Sequence, residues 1–481
     1  MNTPTTFKKS LRLVDSTSLI MGSMIGSGIF IVSADIARTM GSPGWLMVTW
    51  GITGFLTVIA ALSYGELAAM MPHAGGQYVY LREAYNPLAG FLYGWTLFTV
   101  IQTGTIAAVA MAFAKFLGVL IPWFSEKNVW LQWGFLKFSP VHAAAIGSIL
   151  VLTWINTKGI KTGKLVQNIF TFSKVGILLA FIVAGLFFAK DTGAIGINSK
   201  IFWQTARMEN GTLVSLAGFA IIAGIGTSMV GSLFSSDAWN NITFAAGEVV
   251  NPRKNIPLSL FLGTLTVTIL YLLSNLVYIQ VLPLRGTPDG ATVFERGMQY
   301  ATDDRLGTAS MYGLFGEYAA FIMAFLIVIS TFGCNNGLIL SGARVYYAMA
   351  KDGLFFRKAG DLNSKSVPAF GLVSQCIWAC LLCLSGTYSN LLDYVIFAVL
   401  IFYVMTILGI FILRIKQPDT ERPYKAFGYP VIPAVYIISA LFIMIVLLIY
   451  KPMYTWPGLV IVLLGIPVYF IGKRYLRQKV Q

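Results

Sequence analysis

Two stretches combine small and polar residues where an apolar run would otherwise continue. They are Gly22-Ser23-Met24-Ile25-Gly26-Ser27-Gly28-Ile29-Phe30 and Phe234-Ser235-Ser236-Asp237-Ala238-Trp239-Asn240-Asn241. Glycine costs about 1 kcal/mol in a helix interior, and Ser, Asp and Asn compete for backbone hydrogen bonds. Both stretches are therefore weak points for continuous helix. In lipid, freed N–H and C=O groups are tolerated only where they line a cavity or meet a ligand, and a zwitterion supplies both partners. The Ser27 and Gly28 amides, beside Gly26, lie at the positive end of a half-helix and suit a carboxylate, while carbonyls freed before each break suit an ammonium group. The glycines alone fit a small-residue packing face equally well; the matching polar break in the second stretch favours binding.

Lys174 is the one basic residue in the middle of an apolar run, where a lysine costs about 2.5–3.5 kcal/mol on insertion scales. It reads either as a fixed cation serving the freed carbonyls or as a proton carrier tuned by burial. The fixed role is favoured, because no relay of several acids accompanies it. Asp237 has three readings: facing the cavity, pairing with Lys174, or capping the second half-helix, the last slightly preferred because Asp is a good N-cap.

Other chemistry is sparse. The two histidines, His73 and His142, are far apart, and Cys376, Cys380 and Cys383 share one helical face without a His or acid beside them, so no metal site is expected. Gly159 to Lys164 has the wrong spacing for a phosphate loop and no Ser or Thr after the lysine. No cofactor is implied. An enzyme would show convergent titratable groups, and a channel repeated pore-lining rings; neither pattern is present. The Asn210-Gly211-Thr212 sequon would matter only in a eukaryotic secretory pathway.

The elements that must position these residues are membrane helices. Of the 481 residues 57% are hydrophobic and 11% charged, against roughly 25% charged in soluble domains. Charge and turn residues divide the chain into twelve apolar segments: 13–38, 44–71, 88–121, 140–157, 165–189, 213–246, 256–282, 316–350, 369–387, 391–414, 430–450 and 455–472. The first run is too long for a secretory signal and is read as retained. With both termini on one side, about two thirds of the 34 Lys and Arg fall on that side, which the positive-inside rule makes cytoplasmic. The formal charge of +15 thus points to a membrane surface and not to nucleic acid.

The breaks sit five segments apart. That spacing predicts an all-α polytopic protein of one transmembrane domain, 1–481, with a 5+5 inverted repeat in 1–189 and 213–414, discontinuous helices 1 and 6 meeting at the midplane, and helices 11 and 12 (430–472) outside the repeat.

The motifs carry a resemblance as well. GSMIGSGIF resembles the unwound motif of the amino acid, polyamine and organocation (APC) transporter superfamily. Ser63-Tyr64-Gly65-Glu66-Leu67 with Gly75-Gly76-Gln77-Tyr78, Phe234 to Asn240 with Glu248 and Asn251-Pro252, Ser330-Thr331-Phe332-Gly333 with Arg344, and Arg422-Pro423-Tyr424-Lys425 are similar to its L-type amino acid transporter branch. The resemblance implies a leucine-transporter fold. The substrate carboxylate would meet Ser27 and Gly28, and the ammonium carbonyls near Met24, Ile25, Phe234 and Asp237, with Ser235 in the same stretch and Phe234 as an aromatic gate. It places Lys174 where sodium-coupled cousins bind sodium, tying the first break to span 8. Relatives joined to a single-span glycoprotein use a cysteine between spans 3 and 4; residues 122–139 contain none, so no covalent heavy-chain subunit is expected. The expectation is a sodium-independent exchanger of L-amino acids, mostly neutral ones, in an inner cell membrane with cytoplasmic termini. The alternative is proton symport, with cationic amino acids or polyamines as substrates.

Overall fold

A computed structural model describes residues 9–125, 128–133, 136–209, 212–384 and 388–478; Lys8 and the Asn210-Gly211 part of the sequon lie outside them. In chain order the helices are α1 (Leu13–Met24), α2 (Val32–Met40), α3 (Pro43–Met70), α4 (Gln77–Ala84), α5 (Pro87–Thr96), α6 (Gln102–Leu120), α7 (Pro140–Thr157), α8 (Ile160–Phe188), α9 (Ala194–Lys200) and α10 (Phe219–Ser235). There follow α11 (Asn241–Phe244), α12 (Pro252–Val281), α13 (Val293–Arg296), α14 (Leu306–Phe315), α15 (Glu317–Lys351), α16 (Ala369–Cys383), α17 (Tyr388–Lys416), α18 (Val431–Tyr450) and α19 (Pro452–Gln478). Two small antiparallel hairpins, Leu131–Trp133 with Leu136–Phe138 and Arg207–Glu209 with Thr212–Val214, are the only strands among the described residues.

Each of the twelve apolar segments contains helix. Nine helical stretches among the described residues are long and apolar enough to cross a membrane, and α10 and α16 are shorter apolar helices. A polar residue followed by proline opens several: Ser42-Pro43, Asn86-Pro87, Ser139-Pro140 and Asn251-Pro252. Proline at the first helical position loses no internal hydrogen bond, and the Asn86 side chain accepts from the Ala89 amide at 3.0 Å. Two boundaries differ from expectation. The sixth segment begins in a hairpin strand, with helix only from Phe219. The third is interrupted by a π turn, Leu97–Ile101, between α5 and α6.

Contacts between connections sort them into two faces. On the face carrying the N-terminus, the N-face, Arg82 pairs with Asp352, Arg253 with Glu421 (2.9 Å), and Lys416 donates to the Ala84 carbonyl (2.9 Å). On the opposite face Arg38 pairs with Asp304 (2.6 Å), and Arg285 donates to the Gly41 carbonyl (2.9 Å). In the core, α3 packs on α12 and α6 on α15, α2 lies against α10, and α1 against α11.

Candidate functional site

The first break runs from the end of α1 at Met24 to the start of α2 at Val32, with one 3-10 turn, Gly28–Phe30, inside it. The second separates α10 from α11 across residues 236–240. There Ala238 adopts φ of +65°, a conformation that costs a residue with a Cβ about 1–2 kcal/mol and clusters at functional sites. The breaks are in contact: a Cβ on Gly28 would collide with Oγ, Cβ and Cα of Ser235. Glycine at 28 is required by this close approach.

The carbonyls of the first break are engaged by protein donors. Lys174 Nζ donates to Gly22 O (2.6 Å), Cys334 Sγ to Ser23 O (3.0 Å), Tyr271 Oη to Met24 O (2.9 Å), Ser330 Oγ to Ile25 O (3.5 Å) and Tyr278 Oη to Ile29 O (3.1 Å). Tyr271 also donates to Ser235 O at 3.1 Å, so one α12 hydroxyl spans both breaks. The Phe234 carbonyl accepts from the Asp237 amide (3.2 Å). The expected ammonium acceptors Met24, Ile25 and Phe234 are thus each already engaged by a protein donor. Donors are placed differently: the Gly26 and Gly28 amides have no acceptor among the described residues. Met24, Ile25, Gly26, Ser27, Gly28, Phe234 and Ser235 are all buried.

Lys174, 1% exposed, reaches the first break and not Asp237, and the preferred capping role of Asp237 is also corrected. The cap residue of α11 is Asn240, with no side-chain cap bond, and Asp237 Oδ1 instead accepts from Tyr403 Oη at 2.5 Å. A buried carboxylate takes the strongest donor that reaches it, and α17 brings a phenol to it from far along the chain. Asp237 borders open space, lining two small cavities. Gln102, Thr105, Asn240 and Tyr403 share the first with it. Asn240 Nδ2 donates to Gln77 Oε1 (2.9 Å) and Gln77 Nε2 to Thr406 Oγ1 (3.0 Å). Sequence reasoning missed Tyr271, Tyr403 and Gln102. Only their polar groups inside apolar runs could have marked them, and several such residues do not line the site.

The remaining motif residues meet at the N-face. Arg414 grips Glu66 through two hydrogen bonds (2.9 and 2.7 Å), Arg422 approaches it at 3.4 Å, and the Ala426 amide donates to it at 2.7 Å. Glu248 pairs with Arg344 at 3.0 Å, both 1% exposed. The segment before α1 is tied in: Ser10 and Leu11 amides donate to Glu248 O (2.8 and 3.0 Å), and the Val250 amide donates to Leu11 O (2.8 Å). Among the described residues no cluster of three or more His, Cys, Asp or Glu is placed to hold a metal.

Comparison with known proteins gives a consistent answer. The chain is 30% identical over 470 residues to the human large neutral amino acids transporter small subunit 2, covering 97% of this chain and 80% of that one. It is 28% identical over 473 residues to the mouse b(0,+)-type amino acid transporter 1 (98% and 89% covered), and 28% identical over 478 residues to the mouse Asc-type amino acid transporter 1 (97% and 81%). The amino acid permease pattern matches residues 11–470. A multi-pass helical chain with two apposed helix breaks, matched over nearly its whole length, belongs to the amino acid permease family of the APC superfamily and is a transporter, not an enzyme.

Proposed function

We propose that the chain exchanges L-amino acids, chiefly neutral ones, by alternating access and without sodium. Its twelve spans form the 5+5 inverted repeat of the leucine-transporter fold, in a cell membrane with both termini cytoplasmic. The observation that carries this reading is the apposition of the breaks, with the Tyr271 hydroxyl bonded to Met24 O on one and Ser235 O on the other. Two half-helix junctions held by one phenol are what a central zwitterion site needs. The pairing of α3 with α12 and of α6 with α15 fits exchange of two five-helix units about a two-fold axis. Neutral substrates are supported by the likeness to the large neutral amino acids transporter small subunit 2. Sodium independence is supported by Lys174, whose ammonium sits on Gly22 O where a bound cation would otherwise serve the freed carbonyls. In this reading the carboxylate meets Ser27 and Gly28, the ammonium meets carbonyls near Met24, Ile25, Phe234 and Asp237, and Phe234 closes over the substrate.

A second reading, proton symport extending to cationic substrates, draws on the Asp237 carboxylate bordering two cavities. Purified protein in liposomes with radiolabelled amino acids separates the two. Uptake should require amino acid inside the vesicle and ignore a pH gradient; uptake into empty vesicles driven by the gradient alone would replace exchange with symport.

A further inference from the structure

On the N-face, at the rim of the bundle, α5, α16, α19 and the connection after α15 enclose a cavity of about 560 Å³, within the roughly 300–1,000 Å³ range of small-molecule sites. Its walls are carbon. Phe91 and Trp95 come from α5, Phe98 from the π turn, Trp378 from α16 and Tyr469 from α19. The two indole N–H groups are satisfied elsewhere: Trp95 Nε1 donates to Ile461 O and Trp378 Nε1 to Thr99 O, each at 3.0 Å. A polar ligand buried here would lose hydrogen bonds to water without regaining them; a hydrocarbon chain loses nothing.

The mouth is different. Arg357 and Lys473 both border it, both are exposed, and neither has an acidic partner among the described residues. Lys473 Nζ stands over the Tyr469 ring at 5.8 Å. Phe356, beside Arg357, is 66% exposed, as a residue dipping into a bilayer interface would be. An apolar slot at the end of membrane-spanning helices, with two unpaired cations at its opening, is complementary to an amphiphile with an anionic head.

We propose that this cavity is a binding site for one anionic phospholipid of the leaflet meeting the N-face, with an acyl chain among the aromatic walls and the phosphate held by Arg357 and Lys473. The site touches the transport path through one element. Phe98 of the π turn faces the lipid, while Leu97 and Ile101 of the same turn line the cavity at Asp237 and Tyr403. Such π turns concentrate at functional sites. Lipid in the slot braces the wall of the central cavity from behind.

The proposal rests on the membrane location of the family and not on the identity of the transported substrate. It is tested on the full-length protein in detergent, titrated with phosphatidylglycerol or phosphatidylcholine of identical chains, with bound lipid counted by native mass spectrometry. Phosphatidylglycerol should be retained preferentially. With each surface cation contributing about fivefold, Arg357→Gln with Lys473→Gln should lower its affinity roughly 25-fold and that of phosphatidylcholine, whose choline cation already offsets its phosphate, much less. Lys254→Gln, on the same face but remote from the slot, should change neither. Both positions are exposed, and an unchanged melting temperature of the double variant checks that it folds. Equal retention of the two lipids, retention of neither, or a preference that survives the double variant overturns the proposal.

Discussion

Gly28 does two jobs that a substitution would confuse. Its amide belongs to the turn read as the carboxylate site, and its missing side chain lets the two breaks touch at Ser235. Gly28→Ala would push a methyl into the Ser235 side chain, and overpacking of a close contact costs typically 1–3 kcal/mol. Transport should fall about tenfold or more. Gly28→Ala with Ser235→Gly removes the obstructing Oγ and Cβ, so a purely steric loss should be largely restored, in radiolabelled uptake and in substrate-induced thermal stabilisation alike. If the double variant stays inactive while substrate still stabilises it against heating, the contact matters to movement and not to binding. If substrate no longer stabilises it, the backbone of the turn itself is disturbed and the steric account fails. The need for glycine at this position was legible from the cluster Gly22, Gly26 and Gly28. Its partner Ser235 lies too far along the chain for any local pattern to connect them. The Asp237–Tyr403 bond was hidden for the same reason, and the three readings offered for Asp237 drew only on neighbours or on the other buried charge.

At the scale of elements, helix identity was readable because apolar length decides it, and breaks were readable because glycine and Asx residues weaken a helix locally. The π turn was not, since Leu97–Ile101 is ordinary apolar sequence and a change of backbone register leaves no compositional mark. Nor was the late start of α10, whose first apolar residues pair in a hairpin instead. The tether between α8 and α1 lies between these cases: Lys174 stood out as a buried charge, yet only the fold selects Gly22 O from the freed carbonyls. Removing the ammonium leaves that carbonyl without its donor in a dry setting, a loss of about 1–3 kcal/mol. Lys174→Ala should therefore reduce exchange at least tenfold while substrate binding to the purified protein falls much less, because the end of α1 can no longer return to one position during the cycle. Lys174→Arg, which keeps a donor but enlarges the head, should recover part of the flux. Wild-type exchange in Lys174→Ala would contradict the tether, and stimulation of uptake by an external proton gradient in the wild type but not in Lys174→Ala would favour the carrier role.

Across the whole molecule the two faces are closed by different means. Among the described residues the N-face carries acid–base contacts at Glu66, Glu248, Asp352 and Glu421 and a paired N-terminal segment, whereas Arg38–Asp304 joins α2 to the connection before α14 on the opposite face. The Glu248–Arg344 pair is fully buried, and breaking a buried pair costs about 3–5 kcal/mol, enough to threaten folding; Glu66 is buried too, though its partner Arg414 is partly exposed. Asp352 is the more accessible point: about a third of its side chain is exposed, and it receives Arg82 as well as the Tyr78 hydroxyl at 2.7 Å. Burial, and then this hydrogen bond, hold the Tyr78 phenol well above its ordinary range, so it remains a donor throughout the physiological pH span. Asp352→Asn keeps the shape but withdraws the charge that Arg82 meets. A partly exposed pair is worth about 0–1 kcal/mol, which translates to at most about a fivefold shift in the balance between closed and open N-face. A cysteine placed at Thr105, which lines the central cavity, reports that balance through its rate of labelling by a polar thiol reagent added from the N-face side. The rate should rise two- to fivefold in Asp352→Asn and stay unchanged in Asp304→Asn when the reagent comes from that side. Equal rates in all three backgrounds would mean that the N-face is held shut by its buried pairs alone, and that the Arg82–Asp352 link has no part in gating.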